Sequence, residues 1–212
     1  MDTKQDNNYD RTAAEYNWRG PEISLGLAFP YVEPGESLLD LGIGTGLSSE
    51  PFARVGLKIY GMDISERMLD ICRAKGFTCG LEQHDLKVMP YPYKDDSFNH
   101  VLALSVFLSF ESLEDIFREV SRIIRPNGIF CFTAEDIKPG QSHKYVIDPD
   151  DHSREPDPAA ALTVYRHGFK YLESSLKKEG FELLKWIEFL VYQSPNRDKD
   201  IYYVVYLSRK ST

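Results

Sequence analysis

The stretch LLDLGIGTG, Leu38 to Gly46, runs from a short apolar segment directly into three alternating glycines, Gly42, Gly44 and Gly46. Glycine lets the backbone turn sharply and lets a ligand approach without a Cβ atom in the way. The free N–H groups at the start of a following helix would face such a ligand. The pattern therefore predicts a strand, a tight turn and a helix, with a binding site at the turn.

The pattern around this turn predicts an α/β fold. Between 37 and 133, short β-rich runs alternate with amphipathic stretches, which is typical of βαβ units on a parallel sheet. The predicted strands are 37–41, 58–63, 79–85, 100–105 and 128–133. Two closing runs, FELLKWIEFLVY and DIYYVVYLS, have the character of an antiparallel hairpin added to this core. We therefore expect a doubly wound, mainly parallel, seven-stranded sheet with a C-terminal antiparallel hairpin.

The helices follow from spacing and from capping residues. LEDIFREVSRII, 113–124, places its apolar residues in one stripe, and Ser112 precedes it as the predicted N-cap. Ser65 is the predicted N-cap of another helix, which ends before Gly76. The crossover 86–99 contains two prolines, which predicts a loop there.

Composition excludes several classes of protein. The chain has 212 residues, 33 acidic against 25 basic, and a net charge of −8, which argues against nucleic acid as a partner. Its longest apolar stretch, 101–110, is shorter than the roughly 20 residues that span a bilayer, so we expect no membrane insertion. The first residues lack the pattern of a signal peptide, and the three cysteines have no CxxC spacing. These features predict a cytoplasmic protein.

A carboxylate follows the glycine turn at a sequence spacing that is typical of nucleotide-binding sites. The second predicted strand ends in Asp63, about twenty residues after Gly42, which suits a carboxylate that binds ribose hydroxyls. A nicotinamide-binding fingerprint, GxGxxG, would need its third glycine at position 47, where Leu47 stands. The spacing therefore disfavours a nicotinamide oxidoreductase.

The pattern GxGxG, preceded by Asp40, resembles motif I of the class I S-adenosylmethionine-dependent methyltransferases. GMDISERML resembles the second strand of that family, and EQHDL resembles the third. The resemblance covers roughly 9–133 and extends to the closing helix and hairpin. Within the family, GTGLSSEPF and the small size are similar to stand-alone members related to methyltransferases found beside tetratricopeptide repeats, although no such repeat is present here. Ile43 and Asn99 depart from the residues common at their positions, cysteine and aspartate.

The resemblance implies S-adenosyl-L-methionine as the cofactor. Asp63 would hold the ribose, Ile64 and Met68 would flank the adenine, and Asp85 would accept from its amino group. For Asp40, contact with the cofactor amine and a loop-fixing role both stay open. In the N-terminal segment, Arg19 would pair with the cofactor carboxylate, and the alternative is an exposed amphipathic helix. The predicted cofactor-binding residues are Asp40, Gly42, Gly44, Gly46, Asp63, Ile64, Met68, Asp85, Leu86, Ser105, Tyr16 and Arg19.

One domain, 1–212, accommodates all of these features. We expect an N-terminal helical cover at 1–30 and a cofactor-binding core at 37–133. The proline- and acid-rich stretch 134–166 is the predicted lid or acceptor region, and 167–212 the closing helix and hairpin.

A sulfonium methyl group is already activated, so transfer needs a nucleophile held in line, and a base only for a hydroxyl or a protonated amine. His167 and His143 are the candidate bases, and no metal site is predicted because the histidine spacing matches no common ligand pattern. Aromatic and acidic residues of the lid, including Tyr145 and Tyr165, favour a small-molecule acceptor of cationic or amine character.

The sequence thus predicts a small-molecule methyltransferase; a non-catalytic sensor or partner subunit that binds S-adenosylmethionine or S-adenosylhomocysteine is the alternative. The acceptor atom and the oligomeric state stay open.

Overall fold

The computed structural model describes residues 8–15, 17–147, 162–192 and 201–212. In chain order its elements are α1 Asn8–Glu15, α2 Gly20–Ala28, a 3₁₀ turn Phe29–Tyr31, β1 Ser37–Leu41, α3 Glu50–Arg54, β2 Lys58–Asp63, α4 Glu66–Ala74, β3 Thr78–Gln83, β4 His100–Ala103, a second 3₁₀ turn Phe107–Ser109, α5 Glu114–Ile123, β5 Ile129–Ala134, β6 Lys144–Ile147, β7 Leu162–Tyr165, α6 Phe169–Lys178, β8 Phe181–Tyr192 and β9 Ile201–Lys210.

Seven strands form one sheet in the order β3-β2-β1-β4-β5-β9-β8. The first five strands of the chain pair in parallel, and β9 runs antiparallel to both β5 and β8. The predicted doubly wound sheet with a closing antiparallel pair is therefore confirmed. Because parallel strands end at a common edge, the loops that follow β1, β2, β3 and β4 meet there.

Two predicted strands end earlier than expected. β3 stops at Gln83 and β4 stops at Ala103, so Asp85 and Ser105 lie in the loops beyond them. Ser105 has a positive φ of 57° and donates its N–H to the Oγ1 atom of Thr133 at 2.8 Å. A non-glycine residue in this conformation is held by its surroundings rather than by its own preference.

Of the two predicted helix caps, one is confirmed and one is wrong. Ser65 accepts a hydrogen bond from the N–H of Met68 at 3.4 Å and caps α4, as predicted. The N-cap position of α5 is occupied by Leu113, which makes no side-chain cap, while the hydroxyl of Ser112 accepts from Glu114 two residues on. The Leu113 N–H instead donates to the hydroxyl of Tyr171, a distant residue that the local pattern does not reveal. The crossover between β3 and β4 contains no helix, as predicted.

The predicted lid region contains a pair of strands that the sequence patterns did not predict. β6 and β7 pair antiparallel in a separate two-stranded sheet. Residues 148–161, between these strands, lie outside the described part of the chain. The assignment of this region as a lid stays a prediction.

A cluster of phenylalanines packs α5 and the second 3₁₀ turn onto the sheet. The ring of Phe117 lies 5.8 Å from that of Phe107, 5.4 Å from that of Phe130 and 5.3 Å from that of Phe132, measured between centroids. All four side chains are fully buried. Since Phe107 begins the turn that follows β4, this packing fixes the loop at the ligand-binding edge of the sheet.

We expect Phe117→Ala to lower the free energy of unfolding by about 3–5 kcal/mol, because it leaves a cavity among three buried rings. Urea denaturation of the purified protein measures this change. Phe29→Ala is the matched control, since the Phe29 side chain is 60% exposed and its loss should change stability by less than about 1 kcal/mol. Equal effects of the two substitutions would contradict the assignment of Phe117 to the core.

Candidate functional site

The glycine turn is folded back onto the neighbouring strand. The backbone N–H groups of Gly42 and Ile43 both donate to the carbonyl oxygen of Met62, at 2.7 and 3.1 Å. All three glycines of the turn have a positive φ. This backbone path explains why glycines follow β1 at alternate positions.

The glycines of the turn have different surroundings. A Cβ atom on Gly46 would lie 2.6 Å from the ring of Phe77 and 2.7 Å from the sulfur of Cys72, so Gly46 permits packing inside the protein. A Cβ atom on Gly44 would meet nothing closer than 4.0 Å. Gly44 therefore borders open space, whereas Gly46 borders the core.

Asp63 links the turn to the next helix. Its Oδ2 atom accepts the N–H of Gly44 at 2.9 Å, and its Oδ1 atom accepts the N–H of Ser65, also at 2.9 Å. An ionised carboxylate has about four lone-pair sites, so these two bonds leave acceptor capacity unused. The Asp63 side chain can thus support the turn and still bind hydroxyl groups.

A cavity of about 340 Å³ opens beside Asp63, a size within the range of small-molecule sites. Its described walls consist of Gly42, Asp63, Ile64, His84, Asp85, Leu86, Lys87, Ser105, Val106, Ser109 and Phe110. Six of the predicted cofactor-binding residues are brought together there: Gly42, Asp63, Ile64, Asp85, Leu86 and Ser105. We call this space the first cavity.

The two ends of the first cavity differ in character. Ile64 is 64% exposed and offers an apolar surface beside the carboxylate of Asp63. Asp85 accepts the N–H of Lys87 through its Oδ1 atom at 2.9 Å, in the loop after β3. The cavity wall thus combines an apolar side chain with two carboxylates, one at the end of β2 and one in the loop after β3.

Sequence reasoning missed five residues of the cavity wall: His84, Lys87, Val106, Ser109 and Phe110. Three of these lie in the loop after β4, where the apolar run VLALSVFLSF continues past the end of the strand. That continuation was the available signal. A Cβ atom on Gly42 would lie 2.6 Å from a methyl group of Val106, so this loop closes directly over the glycine turn.

Asp40 lies behind the glycine turn and is only 1% exposed. Its Oδ2 atom has no hydrogen-bond partner among the described residues. Burial raises the pKa of the Asp40 carboxyl to about 8, and the negative charge of Asp63 adds to the rise. Asp40 is therefore a buried acid beside the site, not part of the cavity wall.

The N-terminal helix is tied to the glycine turn. Asp10 of α1 accepts the hydroxyl of Thr45 at 2.6 Å and pairs with the ammonium group of Lys75. Arg19 lines a different cavity, and the half-buried Met68 is not on the wall of the first. Tyr16 lies outside the described residues. In the N-terminal segment, α1 is thus held beside the glycine turn, whereas Arg19 lines a cavity other than the first.

The two candidate bases lie away from the first cavity. His167 is 1% exposed, and its Nε2 atom lies 3.1 Å from the carbonyl oxygen of Phe107. Burial lowers the pKa of His167, which favours the neutral ring. His143 is exposed, with its ring centroid 6.0 Å from that of His167. Neither histidine is among the described residues of the cavity wall.

Glu135, immediately after β5, joins the sheet to the predicted lid region. Its carboxylate binds the Arg166 guanidinium at 2.6 Å and accepts the hydroxyl of Tyr145. The guanidinium also stacks on the Tyr145 ring at 3.8 Å from its centroid. Because both oxygens are engaged, Glu135 holds structure rather than standing free as a base.

Within the described ranges, no three or more histidine, cysteine, aspartate or glutamate side chains are grouped so that they could hold a metal ion. None of the helices described here combines the length and the apolar character that crossing a membrane requires.

Comparison with known proteins relates the core of this fold to a methyltransferase domain. A family profile described as a methyltransferase domain matches residues 39–132. The demethylmenaquinone methyltransferase of Tropheryma whipplei is 33% identical over 102 residues, which cover 46% of this chain and 41% of that protein. A sterol 24-C-methyltransferase of Gibberella zeae is 30% identical over 169 residues, covering 72% of this chain and 41% of the relative. This chain thus spans about two fifths of the length of these relatives.

A solved structure extends the likeness of the fold to nearly the whole chain. The S-adenosylmethionine-dependent methyltransferase structure from Listeria monocytogenes superposes with a TM-score of 0.71 at 21% identity, covering 93% of this chain and all of that one. The profile match thus falls on the segment that carries the glycine turn and both carboxylates, and the superposition covers the closing strands as well. Residues 39–132 thus match a methyltransferase domain, the fold is that of the S-adenosylmethionine-dependent methyltransferases, and S-adenosyl-L-methionine is the cofactor that these matches imply.

Proposed function

We propose that this chain transfers a methyl group from S-adenosyl-L-methionine to a small-molecule acceptor. The observation that carries the proposal is the first cavity, whose wall brings together Asp63 at the end of β2, Asp85 in the loop after β3 and Gly42 of the glycine turn. Asp63 is the proposed ribose ligand and Asp85 the proposed partner of the adenine amino group.

The residues present fit this cofactor. Gly44 borders open space next to the Asp63 carboxylate, so a sugar could approach the backbone there without meeting a Cβ atom. The exposed side chain of Ile64 is an apolar surface suited to one face of a base. The buried Asp40, with an unpartnered oxygen behind the turn, has a pKa raised to about 8, and a ligand that carries cationic groups would favour its ionised form.

Bound S-adenosylmethionine supplies a methyl group that the adjoining positive sulfur already activates. The chain's own contribution is then to hold the cofactor and acceptor in line, with the reacting atoms about 3–3.5 Å apart. Glu135 supports this interpretation, because both of its oxygens are engaged in structural contacts, and the buried His167 is not on the described wall of the first cavity. We therefore infer a reaction that depends chiefly on proximity and orientation.

A small-molecule acceptor is favoured by charge and by the relatives. The net charge of −8 disfavours binding to a phosphate backbone. The names of the relatives refer to demethylmenaquinone, to sterols and, for a protein of Shewanella pealeana, to ubiquinone biosynthesis. These are small molecules, and none of those names refers to a nucleic acid.

Ligand titration and turnover test the function in two steps. Calorimetry should show binding of S-adenosylmethionine and S-adenosylhomocysteine, and none of NAD. Incubation with methyl-labelled cofactor and a panel of phenols, thiols, amines and carboxylates should then label at least one acceptor. Preference for NAD would overturn the proposal. Tight cofactor binding without transfer to any acceptor would favour the non-catalytic sensor.

Asp63→Asn tests the ribose contact. We expect it to weaken binding of S-adenosylhomocysteine by about 1.5–3 kcal/mol, roughly 10- to 150-fold, because a charged acceptor is lost while an amide oxygen still supports the turn. Asp136→Asn is the matched control, since Asp136 also follows a strand and accepts two backbone N–H groups, but is not on the wall of the first cavity. Equal affinities of the Asp63 variant and the unchanged protein would remove Asp63 from the site.

Gly44→Ala tests whether the open space beside the turn is the cofactor's. We expect loss of affinity for S-adenosylhomocysteine of at least about tenfold, because the added methyl group enters that space. Gly76→Ala is the control for backbone strain, since Gly76 has a similar positive φ and open surroundings at the exposed end of α4. Thermal unfolding should shift to a similar extent in both variants, and the turn assignment fails if the Gly44 variant binds normally.

A further inference from the structure

A separate cavity lies at the opposite edge of the sheet, where the parallel strands begin. Its volume is about 450 Å³, and its described walls include Ser37 at the start of β1, Lys58 at the start of β2 and Asn99 just before β4. At about 3.3 Å per residue, Lys58 and Asp63 at the two ends of β2 lie roughly 16 Å apart. The space shares no described wall residue with the first cavity, and we call it the amino-edge cavity.

Strand register brings the polar wall residues of the amino-edge cavity together. Ser37 pairs with Lys58 in the parallel strands β1 and β2. The N–H and the hydroxyl of Ser37 both donate to the Oδ1 atom of Asn99, at 3.0 and 2.9 Å. Tyr60, two residues after Lys58, shares its face of the sheet. These side chains are therefore positioned by regular backbone pairing and not by a loop.

Both charged residues of the described wall are cations, Lys58 and Arg125. The exposed Lys58 side chain forms no hydrogen bond or ion pair with the described part of the chain. Arg125 donates its Nε–H to the carbonyl oxygen of Asp96 at 3.0 Å and an Nη1–H to the Oδ1 atom of Asn99 at 3.3 Å. Because a guanidinium group has five N–H donors, three of them stay available to a ligand.

The acids near these cations have partners of their own. Glu36 accepts a hydrogen bond from His100 at 2.8 Å, and the charge of Arg125 also acts on this carboxylate. Asp96 pairs with the ammonium group of Lys210 at 3.3 Å. Neither acid is on the described wall. The charge of Arg125 is thus offset in part by Glu36, whereas the other cation of the wall has no carboxylate within ion-pair distance in the described ranges.

Aromatic side chains form another part of the wall. The ring of Phe98 lies 5.5 Å from that of Tyr60 and 4.8 Å from that of Tyr93, between centroids. Burial raises the pKa of Tyr93 to about 12, and the charge of Glu82 adds to the rise, so the Tyr93 hydroxyl stays an O–H donor at neutral pH. Since a cavity of about 150 Å³ is enough for benzene, this larger space can take a ring together with a polar group.

Asn99 itself favours an anion. The N–H of Ser37 and the guanidinium of Arg125 can only donate, so the oxygen of the Asn99 amide must face them and its NH₂ group must face away. Aspartate, the residue common at this position in the family that the sequence resembles, would put a second carboxylate oxygen where that NH₂ group lies. The departure found in the sequence therefore removes an acid from the wall and adds N–H donors.

We propose that the amino-edge cavity is a second ligand site, which binds a small molecule with an aromatic ring and a phosphate-type oxyanion. Lys58, Arg125 and the NH₂ group of Asn99 hold the oxyanion, and Tyr60 and Tyr93 contact the ring. The proposal does not rest on the proposed function, because no wall residue of the first cavity takes part in it.

Fluorine NMR tests the proposal with two probes that share a ring, the anionic 4-fluorobenzylphosphonate and the cationic 4-fluorobenzylamine. We expect the phosphonate to bind at least about tenfold more tightly than the amine, and its affinity to stay within about twofold when S-adenosylhomocysteine is added. Absence of phosphonate binding, or equal binding of the two probes, would overturn the proposal. Displacement of the phosphonate by S-adenosylhomocysteine would also overturn it, since the probe would then occupy the first cavity.

Lys58→Gln tests the cation that has no partner. We expect it to weaken binding of 4-fluorobenzylphosphonate at least about threefold, because an ammonium group that contacts the oxyanion is lost. Lys170→Gln is the matched control, since Lys170 is exposed on α6 and is not on the wall of the amino-edge cavity. Equal phosphonate affinities of the two variants would place the probe elsewhere.

Asn99→Asp tests the amide with a change that keeps the oxygen bonded to Ser37 and Arg125. We expect it to weaken phosphonate binding at least about tenfold, because N–H donors are replaced by a like charge, and to leave thermal unfolding little changed. Asn17→Asp is the matched control, since Asn17 is exposed and is not on the wall of this cavity. Unchanged phosphonate affinity in a folded Asn99 variant would contradict the proposal.

Discussion

The carboxylate of Asp63 is the contact on which the site depends. The three glycines of the turn have no side chains with which to fix its path, so hydrogen bonds to their backbone N–H groups help to fix its shape. Asp63 binds the N–H of Gly44 with one oxygen and that of Ser65 with the other. Such bonds to an ionised acceptor are stronger than neutral ones. One side chain thus fixes the turn after β1 relative to the start of α4, and any ligand that Asp63 holds is aligned with both.

The sheet supplies the second constraint. Parallel pairing aligns Leu41 with Met62, and Met62 with Glu82. The loops that follow these strands therefore begin at the same level of the sheet. The loop after β4 is fixed differently, by the bond from Ser105 to Thr133 and by the packing of Phe107 on the aromatic core. The walls of the first cavity therefore come from elements whose positions the core sets.

The sequence predicted features that depend on neighbouring residues, and it missed contacts between residues far apart along the chain. The glycine spacing, Asp63 and the cap at Ser65 are patterns within a few residues, and the predictions of the fold and of the Ser65 cap were confirmed. The partner of His167 is the carbonyl of Phe107, sixty positions away, so no spacing rule could show that the imidazole is engaged. The Ser112 cap was wrong because α5 begins one residue later, with Leu113 at the N-cap position and its N–H bonded to the distant Tyr171. Pairing of β6 with β7 likewise depends on contacts across a long stretch of chain.

Acidic side chains predominate at the binding edge of the sheet. Asp40, Asp63 and Asp85 lie at or behind the first cavity, and burial raises the pKa of Asp40 to about 8. A cationic ligand in the first cavity would favour the ionised form of that carboxyl, since an opposite charge lowers the pKa of an acid. Binding of a cationic sulfur compound in the first cavity would therefore be coupled to ionisation of this buried carboxyl.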